Sequence, residues 1–153
     1  MTIHLYQPLQ PLAADGAALL RVLHAAGVEK DDLIRVVGPS GPLAALWLSR
    51  HGYDRAVFVR ASASERTRPA DIMLIAQPCA AVELAPLLDV AGAVSDDGAL
   101  IVQTRPGRGG DEFEAVAAQL RGQGFRAQRR LNDKGRPICI ARRIGLPSAE
   151  KAA

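Results

Sequence analysis

A chain of 153 residues, 48% apolar and 23% charged, is sized for one domain and composed like a folded globular protein. That balance excludes a disordered, collagen-like or disulfide-stapled chain, and no apolar run reaches the length of a membrane helix, so no membrane association is expected. The net charge of +3 is uneven, since residues 1–104 carry 8 basic and 11 acidic side chains and residues 105–153 carry 11 and 5.

Residues 1–14 read as an irregular, Pro-punctuated N-terminal segment. Leu19, Leu20, Val22 and Leu23 then recur at helical spacing from Ala13 to Ala26, with Asp15 as a plausible N-cap and Gly27 as the stop. Leu33–Val37 is a short β-rich run ending at Gly38. A second helix runs from Gly41 to His51, with Pro42 in its first turn. Ala56–Val59 is the next strand. Asp71–Ala76 is a continuous apolar run of strand length, the mark of a strand covered on both faces. Ala80–Val90 is a helix, Ala99–Thr104 a strand and Asp111–Gly122 an amphipathic helix with Phe113, Val116 and Leu120 on one side. Phe125–Leu131 and Pro137–Arg142 are two strands joined by Asn132-Asp133-Lys134-Gly135, a hairpin turn signal. The tail 144–153 is expected to be flexible.

Helices alternating with buried strands predict an α/β fold: a doubly wound, Rossmann-like, mostly parallel sheet with an antiparallel C-terminal hairpin. In such sheets ligands bind at the carboxyl ends of the strands.

The order of elements over residues 15–143 resembles the class I S-adenosylmethionine-dependent methyltransferases. Val36-Val37-Gly38-Pro39-Ser40-Gly41 sits where that family carries its glycine loop. Asp71–Ile75 looks like its fourth strand, and Val94-Ser95-Asp96-Asp97-Gly98-Ala99-Leu100-Ile101-Val102 like the segment leading into its fifth. The resemblance implies a sheet of order 2-1-4-5-7-6, in the family's strand count, and a cofactor site at Gly38, Ser40, Gly41, Arg60 and Gln77. Only residues 61–70 separate the second strand from the fourth. That is too short for the family's third strand, which is expected to be missing, together with the wall it lends to the adenine.

The chain also departs from the family at single residues. Val36 stands where the family has an acidic side chain. Pro39 and Pro42 each take a donor from the loop. Arg60 stands near the carboxylate that would accept from the ribose hydroxyls, and a guanidinium has no acceptor. Arg60 suits a phosphate or carboxylate instead.

Other chemistry is thin. Gln77-Pro78-Cys79 follows the fourth strand, and Pro-Cys there looks like a motif of the cytosine-C5 methyltransferases. The rest of their pattern is absent, and a buried structural thiol is the simpler reading. Cys79 and Cys139 have no ligand spacing around them, so no metal is expected. His4, His24 and His51 form no triad or base arrangement, and no catalytic residue is assigned.

Two readings follow. In the first, the domain has lost its cofactor and serves as a binding or regulatory module, taking a protein partner or forming a homodimer through the shortened sheet edge around Val57, Val59 and the 61–70 link. In the second, it is a small S-adenosylmethionine-dependent methyltransferase. A weaker third is an RNA- or nucleotide-associated protein that uses Arg126, Arg129 and Arg130. The N-terminus lacks the basic start and apolar block of a secretory signal, so a cytoplasmic location is expected.

Overall fold

The computed structural model describes residues 11–59, 69–91, 94–107 and 110–145. A 3-10 turn, Leu12–Ala14, leads into α1 (Gly16–Ala25), β1 (Ile34–Val37), α2 (Gly41–Arg50), β2 (Ala56–Phe58), β3 (Ala70–Cys79), α3 (Ala81–Ala91) and β4 (Val94–Thr104). A short pair, β5 (Pro106–Gly107) and β6 (Gly110–Asp111), precedes α4 (Phe113–Gly122), β7 (Phe125–Asp133) and β8 (Arg136–Arg143).

The six-stranded sheet has the order β2-β1-β3-β4-β8-β7. Its first three pairings are parallel and the two involving β8 are antiparallel. This is the expected 2-1-4-5-7-6 order with its C-terminal hairpin. Among the described residues no strand lies on the outer side of β2. The link at 60–68, which includes the candidate Arg60, lies outside the described residues, as do 1–10 and 146–153.

Side-chain alternation splits the core into two layers. Along β3, Ile72, Leu74 and Ala76 join α1 and α2 through Leu19, Val22, Leu23 and Leu48. Met73 and Ile75 join α3 and α4 through Leu84, Leu88, Val116 and Leu120. Two-sided burial is why this strand reads as an unbroken apolar run.

Several boundaries differ from the sequence reading. The first helix starts at Gly16 because Asp15 caps it, its Oδ1 accepting from the Ala18 N–H at 3.2 Å. Residues 12–14, placed in the irregular segment, form a turn whose Leu12 N–H donates to the buried Gln103 Oε1 at 2.8 Å. β3 runs on to Cys79, and β4 begins early at Val94. Between Val94 and Ala99, β4 bulges: two residues of β3 span what five span on β4. Asp97 in that bulge has a φ of 63°.

A second bulge lies in β7. Ala127 pairs with Ala141 and Arg129 with Ile140, so Gln128 is an inserted residue. It changes the parity of the strand. Phe125 and Ala127 face the α3–α4 layer, whereas Leu131 packs on the α1–α2 layer. The hairpin then closes through Lys134 and Gly135 at φ 50° and 82°, the left-handed pair of a two-residue turn.

Candidate functional site

The carboxyl ends of β1, β2 and β3 meet at Gly38. Its φ of +106° belongs to glycine, because an L side chain there is strained. The turn closes tightly: the Gly41 N–H donates to the Gly38 carbonyl at 2.9 Å, and the Ala44 N–H to the Ser40 carbonyl at 3.1 Å. Ser40 holds the N-cap position of α2 without a side-chain capping bond, and Pro42 lies in the first turn. Because β1 pairs with β3 up to Val37↔Ile75, Gly38 comes to lie beside Ala76 and Gln77. A Cβ on Gly38 would stand 3.5 Å from both the Ala76 nitrogen and Gln77 Oε1. Gly38, Ser40, Gly41 and Gln77 are thus brought to one corner; the described residues do not include Arg60.

Phe58 decides the shape of this corner. A Cβ on Gly41 would overlap its ring, so glycine here admits the phenyl group. β2 continues into Val59, whose N–H donates to the Val36 carbonyl at 2.9 Å and whose side chain packs on the α3–α4 layer. The described end of β2 is therefore Ala56-Val57-Phe58-Val59, with no carboxylate.

Cys79 closes the far side of the corner. It is fully buried, and burial pushes its thiol up to about 11, only partly offset by the Gln77 side chain. Its Sγ donates to the Gln77 carbonyl at 3.5 Å. A nucleophile must be a thiolate, and burial disfavours that form here. Next to it, Glu83 Oε1 accepts from the Ala80 N–H at 3.0 Å and from the Arg105 guanidinium at 2.5 Å. The Arg105 N–H donates to the Cys79 carbonyl at 3.0 Å.

The histidines in the described residues take no catalytic geometry. His24 is exposed. His51 stacks on Trp47 at 3.9 Å and hydrogen-bonds its carbonyl through Nδ1 at 2.8 Å.

Most arginines of the basic C-terminal part have internal partners, which sequence reasoning missed. Arg129 donates to the Ala25 carbonyl and Arg142 to the Ala26 carbonyl, each at 3.0 Å. Both thereby cap the carbonyl end of α1, where cations are favoured. Arg130 lies 4.9 Å above the Phe113 ring, a cation–π contact. Arg136, 5% exposed, bridges Asp15 at 2.9 Å and Asp133 at 3.1 Å, and Arg21 holds Asp133 by two bonds of 2.9 and 3.1 Å.

No protein-family model matches the chain, and no curated protein matches it in sequence. Solved structures do match. The magnesium protoporphyrin IX methyltransferase of Synechocystis PCC 6803, with bound SAH, superposes at TM-score 0.59 and 12% identity, over 86% of this chain and 83% of that one. The SAM-bound amino pentose methyltransferase CalS10 of Micromonospora echinaspora gives 0.52 and 12%, over 88% and 92%. A possible exported protein of Bordetella parapertussis gives 0.54 and 14%, over 86% and 68%. With the sheet order and the hairpin, these likenesses establish that the chain has the fold of the class I S-adenosylmethionine-dependent methyltransferases.

Proposed function

We propose that this is a methyltransferase-fold domain that no longer holds S-adenosylmethionine and works as a binding module. The Gly38–Gly41 turn carries the proposal. A glycine loop holds a nucleoside by bare backbone and inward N–H groups. Here Pro39 and Pro42 have no N–H, and Gly41 spends its own on the Gly38 carbonyl. Phe58 covers Gly41, and Gln77 lies against Gly38. The described end of β2, Phe58 and Val59, offers no carboxylate to accept from the ribose hydroxyls. These residues do not fit an adenosyl group.

On this reading residues 15–143 form the domain, in the cytoplasm, and its partner is a protein or a second copy of the chain taken up along β2. Val57, 51% exposed on that edge strand, supports the choice of edge. No described helix is long and apolar enough to cross a membrane.

The second reading, a small S-adenosylmethionine-dependent methyltransferase, is favoured by the positive φ of Gly38 and by neighbours of the same fold that hold SAM or SAH. One titration separates the two. A ligand at a hundred times its Kd stabilises the native state by about 2.7 kcal/mol, which raises Tm by roughly 5–10 °C at this chain length. Saturating S-adenosylmethionine or S-adenosylhomocysteine is expected to leave Tm unchanged. A rise of that size overturns the proposal and restores the enzyme.

A further inference from the structure

At the end of the sheet opposite Gly38, the start of β7 and the close of β8 flank a cleft of about 200 Å³ lined by Asp97, Arg126, Gln128, Arg142, Arg143 and Gly145. We propose that this cleft binds a phosphate group.

Arg126, Arg142 and Arg143 line it with Asp97, and the Asp96 carboxylate lies beside Gly145, so cations outnumber carboxylates by three to two. The register makes the imbalance costly, because Arg126 pairs directly across from Arg142 and like charges opposite one another destabilise a sheet. Arg143 follows on the other face of the strand, opposite Phe125. Arg126 and Arg143 have no hydrogen-bond or ion-pair partner among the described residues, unlike Arg129, Arg130, Arg136 and Arg142.

Arg142 is held in place by two carbonyls, of Ala26 and Asp97, each at 3.0 Å. Carbonyls orient a guanidinium without pairing its charge, and Arg142 also borders a second pocket lined by Glu29, Asp32, Asp71, Asp96 and Asp97. The Gln128 bulge adds an amide to the phosphate cleft. An anion here relieves the repulsion between Arg126 and Arg142 and is met by forked donors that match its oxygens.

Size narrows the ligand. Pockets for whole small molecules run to roughly 300–1,000 Å³. At about 200 Å³ the cleft takes a phosphate head and leaves the rest of its bearer in solvent. The head can be free phosphate or pyrophosphate, or belong to a nucleic-acid backbone.

The full chain is titrated by calorimetry with sodium pyrophosphate against sodium chloride at matched ionic strength. A short single-stranded RNA is titrated in parallel by fluorescence anisotropy. Arg126→Gln alone, Arg126→Gln with Arg143→Gln, and Arg50→Gln on the distant α2 are compared, with circular dichroism to confirm folding. Pyrophosphate is expected to bind beyond the chloride control, at least tenfold more weakly in the double variant, and unchanged in Arg50→Gln. Arg126 is exposed, so the single variant reports even if the double one misfolds.

RNA binding that the Arg126 variants weaken, with a shallower salt slope, identifies a backbone phosphate as the source. Pyrophosphate binding without RNA binding identifies a small phosphate ester. The proposal falls if neither ligand binds beyond chloride, or if the Arg126 variants bind as the parent does.

Discussion

Arg136→Met tests the tie between α1 and the C-terminal hairpin. The guanidinium is 5% exposed and joins Asp15 on the cap of α1 to Asp133 beside the hairpin turn, at 2.9 and 3.1 Å. Removing one partner of a buried ion pair costs about 3–5 kcal/mol. Both carboxylates here keep some solvent and a second donor, the Ala18 N–H for Asp15 and Arg21 for Asp133. That lowers the expected loss to about 2–3 kcal/mol, or roughly 4–12 °C in Tm. The pH dependence supplies a second check. The Ala18 amide, followed by Arg136, holds the Asp15 carboxyl below the usual range, and Arg21, with Arg136 adding charge, does the same for Asp133. Stability from a lowered carboxyl pKa is present above the unfolded value, near pH 4, and is lost as pH falls through the folded one. The gap between parent and variant, measured by urea unfolding, should be full at pH 7 and should narrow below pH 4. A variant within 0.5 kcal/mol of the parent at pH 7, or a gap of constant size across pH, would refute the reasoning.

Cys79 and Cys139 are both buried, and burial raises each thiol to about 11; at pH 8 neither should react with a disulfide reagent in the native protein, while both should in urea. Rapid native labelling of Cys79 would reopen its role as a nucleophile. Gly38→Ala forces an L side chain to a φ of +106° and should cost about 1–3 kcal/mol by chemical denaturation; an unchanged midpoint would mean that the turn relaxes freely.

The central strands were legible because burial on both faces leaves a residue-level trace: Asp71–Ala76 has no polar alternation to hide. The hairpin was legible for a similarly local reason, since Lys134-Gly135 must supply two left-handed residues and the sequence offers a glycine there. The corner at Gly38 followed from topology, as adjacent parallel strands bring their ends together, and so Gln77 could be placed near Gly38. The Gln128 bulge left no trace. Phe125, Ala127 and Leu131 share one parity in the sequence, and only the packing of Leu131 on the other layer reveals the inserted residue. The arginine partners were hidden by distance along the chain: Arg129 and Arg142 reach carbonyls 104 and 116 residues away. A basic stretch therefore read as a surface for polyanions where most of its charge holds helices in place.

The parity change in β7 also bears on how the molecule comes apart. One strand gives Phe125 to one helix layer and Leu131 to the other, and its neighbour β8 does likewise with Cys139 and Ile140. Both layers thus share the hairpin, and a single unfolding event is the expected outcome. Slow-exchanging amides on Leu74 and Leu120 should report a common opening free energy, which makes the ribbon at the C-terminus the clasp of the whole domain.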